Sequence, residues 1–399
     1  MSEWKDFKMG EVVKTNTSQY SLSENWNTIQ YLDTGNITKN QISNIEIYFD
    51  NKGLPSRARR KVKHGDIIYS CVRPNLCHYG YLDNPPSNLL VSTGFVVITV
   101  KTEFADSRFI YYYLTQNQIV QTLHAIAEQS VSTYPSIKAS DIESINVSLP
   151  PLSIQKKIAS ILSSLDDKIA VNKKICENLE AQAQTLFKHW FVDFAPFKDG
   201  KFVESELGMI PLSIICEQIT DGVHNSVKDE PNSSYMLLSC KNIVGGVLSK
   251  NNYRSISKNT FDSLRLRTKL AKGDILISSV GTIGEIAIVE EDPLNYEFQR
   301  SVAIVKPKEK IGTYFLYNAL LASKTRLQHA AHGAVQQCLF LGDLKKFKVN
   351  CYDIEKAFLY NETVKPLFEE IAKLHQESDR LSSLRDTLLP KLMSGQIKL

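Results

Sequence analysis

Lys63-His64-Gly65-Asp66-Ile67-Ile68-Tyr69-Ser70 recurs 208 residues later as Ala271-Lys272-Gly273-Asp274-Ile275-Leu276-Ile277-Ser278. Working outward from this pair, further matches keep the same order. Asn36-Ile37 returns as Asn242-Ile243, and Phe109-Ile110-Tyr111-Tyr112-Tyr113-Leu114 returns as Phe315-Leu316-Tyr317-Asn318-Ala319-Leu320, both at an offset of 206. Asp141-Ile142 returns as Asp343-Leu344 at 202. Matches that stay collinear while the offset drifts by a few residues mark an internal repeat. Each copy mixes short β-rich runs (66–70 and 94–100; 274–278 and 301–305) with helical stretches at 106–127 and 312–331. The expected class is α+β, with one globular domain per repeat.

A different pattern follows each domain. Ile158, Leu162, Leu165, Ile169, Asn172, Cys176, Leu179, Ala183, Leu186 and Trp190 are spaced alternately by four and three, the signature of a heptad seam. Adding 202 gives Tyr360, Val364, Leu367, Ile371, Leu374, Ser378, Leu381, Arg385, Leu388 and Leu392. Two long helices are predicted, over 153–191 and 355–393, each ~58 Å long at ~1.5 Å per residue. Pro366 is expected to kink or delay the second. The two seams are natural partners for each other, and Asn172, Cys176, Ser378 and Arg385 would set their register at a cost in stability. If each domain sits at the start of its helix, antiparallel pairing places the domains at opposite ends, related by a pseudo-twofold axis. The expected organisation is domain 1–150, helix 151–194, linker 195–211, domain 212–352 and helix 353–399.

The 399 residues carry 47 Lys+Arg against 43 Asp+Glu, a net charge of +4. That balance supports nucleic-acid binding only if the cations gather on one face. Seven cysteines without a Cys-x-x-Cys pair argue against a disulfide framework or a structural zinc site. No signal peptide opens the chain and no run of 18 apolar residues occurs, so a cytoplasmic protein with no membrane span is expected.

Catalytic motifs are weak. Asn84-Pro85-Pro86-Ser87 lacks the aromatic fourth residue with which amino-methyltransferases stack a flipped base, and reads as a turn. The glycine-rich 278–284 segment has no lysine of the phosphate-loop kind. His329 and His332 would share a helix face, without a third metal ligand. The stronger signal is basic. Arg57, Arg59, Arg60, Lys61 and Lys63 precede Gly65, and Arg254, Lys258, Arg265, Arg267 and Lys269 precede Gly273. Such cations neutralise phosphates, and arginine also grips guanine edges. Arg73, Asn75, Ser278, Ser279 and Thr282, just after the shared strand, are candidates for base contact.

The chain resembles, over nearly its whole length, the specificity subunit of type I restriction–modification systems. The resemblance rests on the twofold domain–helix repeat and the Gly-Asp-Ile-x-x-Ser motifs. It rests also on Leu149-Pro150-Pro151-Leu152-Ser153-Ile154-Gln155-Lys156-Lys157-Ile158-Ala159 at the helix start, Phe187-Lys188-His189-Trp190-Phe191-Val192-Asp193-Phe194 leading to Glu206-Leu207-Gly208-Met209-Ile210-Pro211, and the ending Leu388-Leu389-Pro390-Lys391-Leu392-Met393-Ser394-Gly395. It implies two target recognition domains reading the halves of a split, asymmetric site on double-stranded DNA. It implies an antiparallel helix pair as spacer and docking surface for two methyltransferase subunits that use S-adenosylmethionine, with motor-nuclease subunits using ATP and Mg as possible further partners. It implies no catalysis and no cofactor in this chain. Two other readings stay open: an adenine methyltransferase or nuclease with an unrecognised site, which would bind S-adenosylmethionine or cut DNA alone, and a coiled-coil adaptor, which would show no salt-sensitive DNA binding.

Overall fold

A computed structural model describes residues 4–130, 134–193, 208–333 and 337–399. Most of the expected 195–211 linker lies outside the described residues. The chain divides into two compact units, residues 1–170 with 378–399, and residues 171–377. Both long helices run through the division, so each unit is built from one globular part and one stretch of each helix.

In the first unit, one sheet has the strand order Glu46–Phe49, Thr28–Leu32, Leu89–Ser92, Ala58–Lys61, and the other Val13–Thr15, Phe95–Val100, Ile67–Ser70, Tyr79–Tyr81. The repeated motif makes one of the second sheet's two inner strands. Gly65 takes φ +84, which suits a residue without Cβ. Asp66 then caps the turn, its carboxylate accepting from the Lys63 amide at 2.9 Å and the Thr99 hydroxyl at 2.7 Å. Burial pushes its carboxyl above the usual carboxylate range. The strand that follows is buried along its length, with Ile67, Ile68 and Tyr69 in succession because both its faces are covered. Ile67 and Tyr69 face a core shared with the helices, while Ile68 faces a second core between the sheets with Leu32, Val91, Phe95 and Val97.

The second unit repeats this arrangement. Gly273 has φ +90, Asp274 accepts from the Ala271 amide at 2.8 Å, Ile275 and Ile277 face the helix-side core, and Leu276 faces the other. The expected strands are present as Ile67–Ser70, Phe95–Val100, Ile275–Ser278 and Val302–Pro307. Each of the two expected intermediate helices is broken once. Ser107–Thr115 is followed by Asn117–Glu128, and Thr313–Ala322 by Lys324–His329, because Gln116 leaves the helical region and Ser323 ends the first of its pair.

The long helices span Leu152–Phe191 and Ile354–Met393. Pro366 neither delays nor interrupts the second. It lies on an exposed face, where water can satisfy the carbonyl that its missing N–H leaves free. Gln155, buried, pins the start of the first helix to its domain by accepting from the Asp106 amide at 2.9 Å and donating to the Pro150 carbonyl at 2.9 Å. Pairing is antiparallel. In the second unit Asn172 donates to Glu377 at 2.7 Å, Cys176 meets the Ile371 carbonyl, and the Tyr360 hydroxyl donates to the Ala183 carbonyl at 2.8 Å. In the first unit Leu162 and Leu388 belong to one core cluster.

The heptad seam is buried at about half of its positions and only partly covered at the rest. Ile158, Leu162, Asn172, Cys176, Ala183, Tyr360, Val364, Ile371, Leu374 and Leu392 are buried. Leu165, Ile169, Leu179, Leu186, Trp190, Leu367, Leu381 and Leu388 are only partly covered, and Phe187, Phe191 and Phe368 are buried in their place. For these rings the reason is a second partner: they pack on Phe315, Tyr352, Tyr314 and Tyr317 of the globular part, and Phe187 and Phe191 also meet Tyr360 of the opposite helix.

Arg385 in the seam has a specific partner. Its guanidinium donates to Asp166 at 2.6 Å, and the other Asp166 oxygen accepts from the Tyr112 hydroxyl at 2.6 Å, joining both helices to the first domain. The group is mostly shielded, so Asp166→Ala, which takes the acceptor from Tyr112 and leaves Arg385 only the exposed Asp386 at 2.8 Å, is expected to cost about 1–2 kcal/mol in denaturant unfolding. The apolar pair Asp166→Leu with Arg385→Leu should cost less. Equal losses would contradict this account.

Candidate nucleic-acid interface

The two basic clusters precede the same motif but stand on different elements. Arg59, Arg60 and Lys61 lie on the edge strand Ala58–Lys61. Arg265 and Arg267 lie on the helix Lys258–Thr268, and Arg254 on the strand Arg254–Ile256. That last strand corresponds to Glu46–Phe49 of the first unit, since each pairs antiparallel with the strand that also takes the one parallel partner of its sheet. The clusters thus correspond along the chain and not in structure: where the first unit has an edge strand, the second has a helix.

The candidate side chains fall into two groups. Several are engaged within the fold. Arg265 binds Glu297 and two backbone carbonyls; Arg267 donates to the Asp221 and Gly222 carbonyls at 2.8 and 2.6 Å. Arg254 pairs with Asp229 at 2.7 Å, Lys258 with Asp262 at 2.7 Å, and Lys61 with Glu24 while lying over the Trp26 ring. Arg59 donates to the Ala58 carbonyl. Arg60 is partly buried, and desolvation lowers its pKa. Ser278 is fully buried, its hydroxyl donating to the Thr282 carbonyl and accepting from the Glu285 amide at 2.8 Å, which closes the turn between two antiparallel strands. Ser279 is buried and donates to the Arg300 carbonyl. These two serines build the loop and do not present themselves at its surface.

The other group is exposed: Arg57, Lys63, Arg73, Asn75, Lys269 and Thr282, with Lys258 and Arg267 exposed despite their partners. Tyr134, which no sequence signal singled out, joins them, its ring under the Arg73 guanidinium at 5.4 Å. The residues are 61 positions apart, and only the fold brings them together. The arrangement suits contact with a polyanion: cations at loops and at an element end, with one arginine held on an aromatic face.

Among the described residues, no constellation for catalysis emerges. Asn84 sits in an exposed turn at φ +46. The two histidines do not share a helix face, because the helix ends at His329 and His332 lies beyond it, against the Phe340 ring. Among the described residues, no group of three or more His, Cys, Asp or Glu side chains could hold a metal ion, and no helix is long and apolar enough to cross a membrane.

Comparisons with known proteins agree with this picture. The family model described as the type I restriction modification DNA specificity domain matches residues 1–181 and 231–355. The type I restriction enzyme HindI specificity subunit of Haemophilus influenzae is 26% identical over the full length of both chains. The MjaIX specificity subunit of Methanocaldococcus jannaschii is 26% identical over 98% of this chain and 92% of that one. The crystal structure of the type I restriction-modification S subunit from M. genitalium shares the fold, with a TM-score of 0.54 at 16% identity over 98% of this chain and 96% of that one. The chain belongs to the type I restriction–modification DNA specificity family, as a specificity subunit that is itself non-catalytic.

Proposed function

We propose that the two globular parts, residues 1–150 and 212–352, are target recognition domains that read different halves of one gapped, asymmetric DNA site. The helices 151–194 and 353–399 would serve as spacer and docking surface for two methyltransferase subunits. The observation that carries this reading is the repeat itself. Two domains share the Gly-Asp turn and the order of the four-stranded sheet that follows from it, yet differ at the surface, down to an edge strand in one and a helix in the other. Similar frames imply similar docking events, and different surfaces imply different half-sites. S-adenosylmethionine would belong to the methyltransferase partners, and ATP and Mg to motor-nuclease partners. The test is a domain exchange. Replacing residues 1–150 with the matching domain of a relative should alter one half of the methylated motif only. A change in both halves, or one continuous motif in the wild type, refutes the reading.

The exposed cations would neutralise phosphates. Arg57→Ala with Lys63→Ala should weaken binding of the assembled complex across DNA sequences. It should also reduce the slope of log affinity against log salt by about 0.9 for each phosphate no longer neutralised. An unchanged slope refutes the assignment. Arg265→Ala is no substitute for this test, because that guanidinium is committed to the fold.

A further inference from the structure

We propose that Arg73 reads a guanine edge in the half-site of the first domain, with Tyr134 positioning it. The inference rests on the reading of residues 1–150 as a recognition domain and names the residue that would decide its specificity at one base.

The loops after the repeated strand are held in the same way in both units. The Ile137 amide donates to the Cys71 carbonyl at 2.8 Å, and the Leu339 amide to the Ser279 carbonyl at 2.9 Å. Val72 then bridges Ser136, and Val280 bridges Cys338. The next residue has a left-handed backbone in both: Gly281 at φ +76 and Arg73 at φ +48. A Cβ on Gly281 would meet only the Cys240 sulfur, at 3.9 Å, so the conformation and not crowding accounts for glycine there. Arginine has neither glycine's freedom nor the short polar side chain that lets Asn and Asp adopt this region. The first unit therefore holds a disfavoured residue in a glycine position. The surrounding bonds enforce it: the Arg73 amide donates to the Pro135 carbonyl at 2.9 Å, and the Leu76 amide to the Arg73 carbonyl at 2.9 Å. Strain maintained by an over-determined frame points to a use for the side chain.

The side chain fits one use in particular. It is exposed and lies on the exposed Tyr134 ring, with Asn75 exposed on the same turn. A phosphate can be met by any mobile cation. A guanine O6/N7 edge needs the planar fork of arginine in a set orientation, which the turn and the ring both supply.

The experiment compares methylation motifs and competition binding for complexes assembled with wild-type, Arg73→Gly, Arg73→Lys, Tyr134→Phe and Tyr134→Ala subunits. Arg73→Gly should fold with a melting temperature equal to or above wild type, since glycine suits the backbone there. It should nonetheless lose discrimination at one guanine of the first half-site by roughly 10- to 100-fold, the second half-site staying intact. Arg73→Lys should lose most of that discrimination despite keeping the charge. Tyr134→Phe should preserve it, and Tyr134→Ala should reduce it. An unchanged motif in Arg73→Gly, a first half-site without a guanine, or a uniform loss of affinity with the motif intact would overturn the proposal. Failure of the underlying reading would show differently, as a wild-type motif that is not in two parts.

Discussion

Replacing Arg265 with alanine is expected to destabilise the second unit by about 3–5 kcal/mol. Glu297 has a fully buried side chain, and Arg265 meets it at 2.6 Å. The same guanidinium donates to the Leu270 and Tyr296 carbonyls at 2.7 and 3.0 Å, tying the helix Lys258–Thr268 to the strand Tyr296–Phe298. Without it, a carboxylate and two carbonyls lose their donor. Thr268, which donates to Glu297 at 3.0 Å, cannot replace a charge. Burial already raises the Glu297 pKa, and Arg265 opposes that rise, so in the variant the pKa should climb further. An acid with a raised folded-state pKa favours the fold below its unfolded value, and that contribution is lost as pH rises through the folded value. The deficit of Arg265→Ala relative to wild type should therefore be largest near neutral pH and narrow as pH falls toward the carboxylate range. Denaturant unfolding at several pH values checks both points. A variant that loses DNA affinity at unchanged stability would show instead that Arg265 faces DNA.

Phe191→Ala is expected to cost a similar amount, about 3–5 kcal/mol, through the cavity it leaves. Phe191 ends the first long helix and is fully buried, with the rings of Phe187, Phe315, Tyr352 and Tyr360 at centroid distances of 4.9–5.7 Å. Ring packing of this kind, stacked on Phe187 and tilted or edge-on against the others, adds to the area buried. Trp190, the neighbour favoured by the strict heptad pattern, is only partly covered, so Trp190→Ala should cost clearly less. Unfolding measurements on the two variants give a rank order. A larger loss for Trp190→Ala would mean that the heptad seam, and not the domain core, governs this end of the helix.

The repeat, the two long helices to within a residue at each end, and the four main strands are legible in the sequence. Those features are local or periodic. Gly65-Asp66 and Gly273-Asp274 need a left-handed turn and its cap, the strands read as largely apolar runs because both faces are buried, and a heptad spacing sustained along a 40-residue helix marks the helix itself, whichever of its residues end up buried. Even Arg73 opposite Gly281 can be found by aligning the copies. Tertiary structure alone decided which charges are free. Arg265 and Lys269 look alike in a basic run. One is folded onto Glu297 across 32 residues of chain, and the other stands exposed at a helix end. The shift of the seam to Phe191 and Phe368, and the pairing of Arg385 with Asp166 across 219 residues, have the same origin. A side chain's partner is set by distance in space. A one-dimensional pattern reports that distance only when it follows the period of the element that carries it.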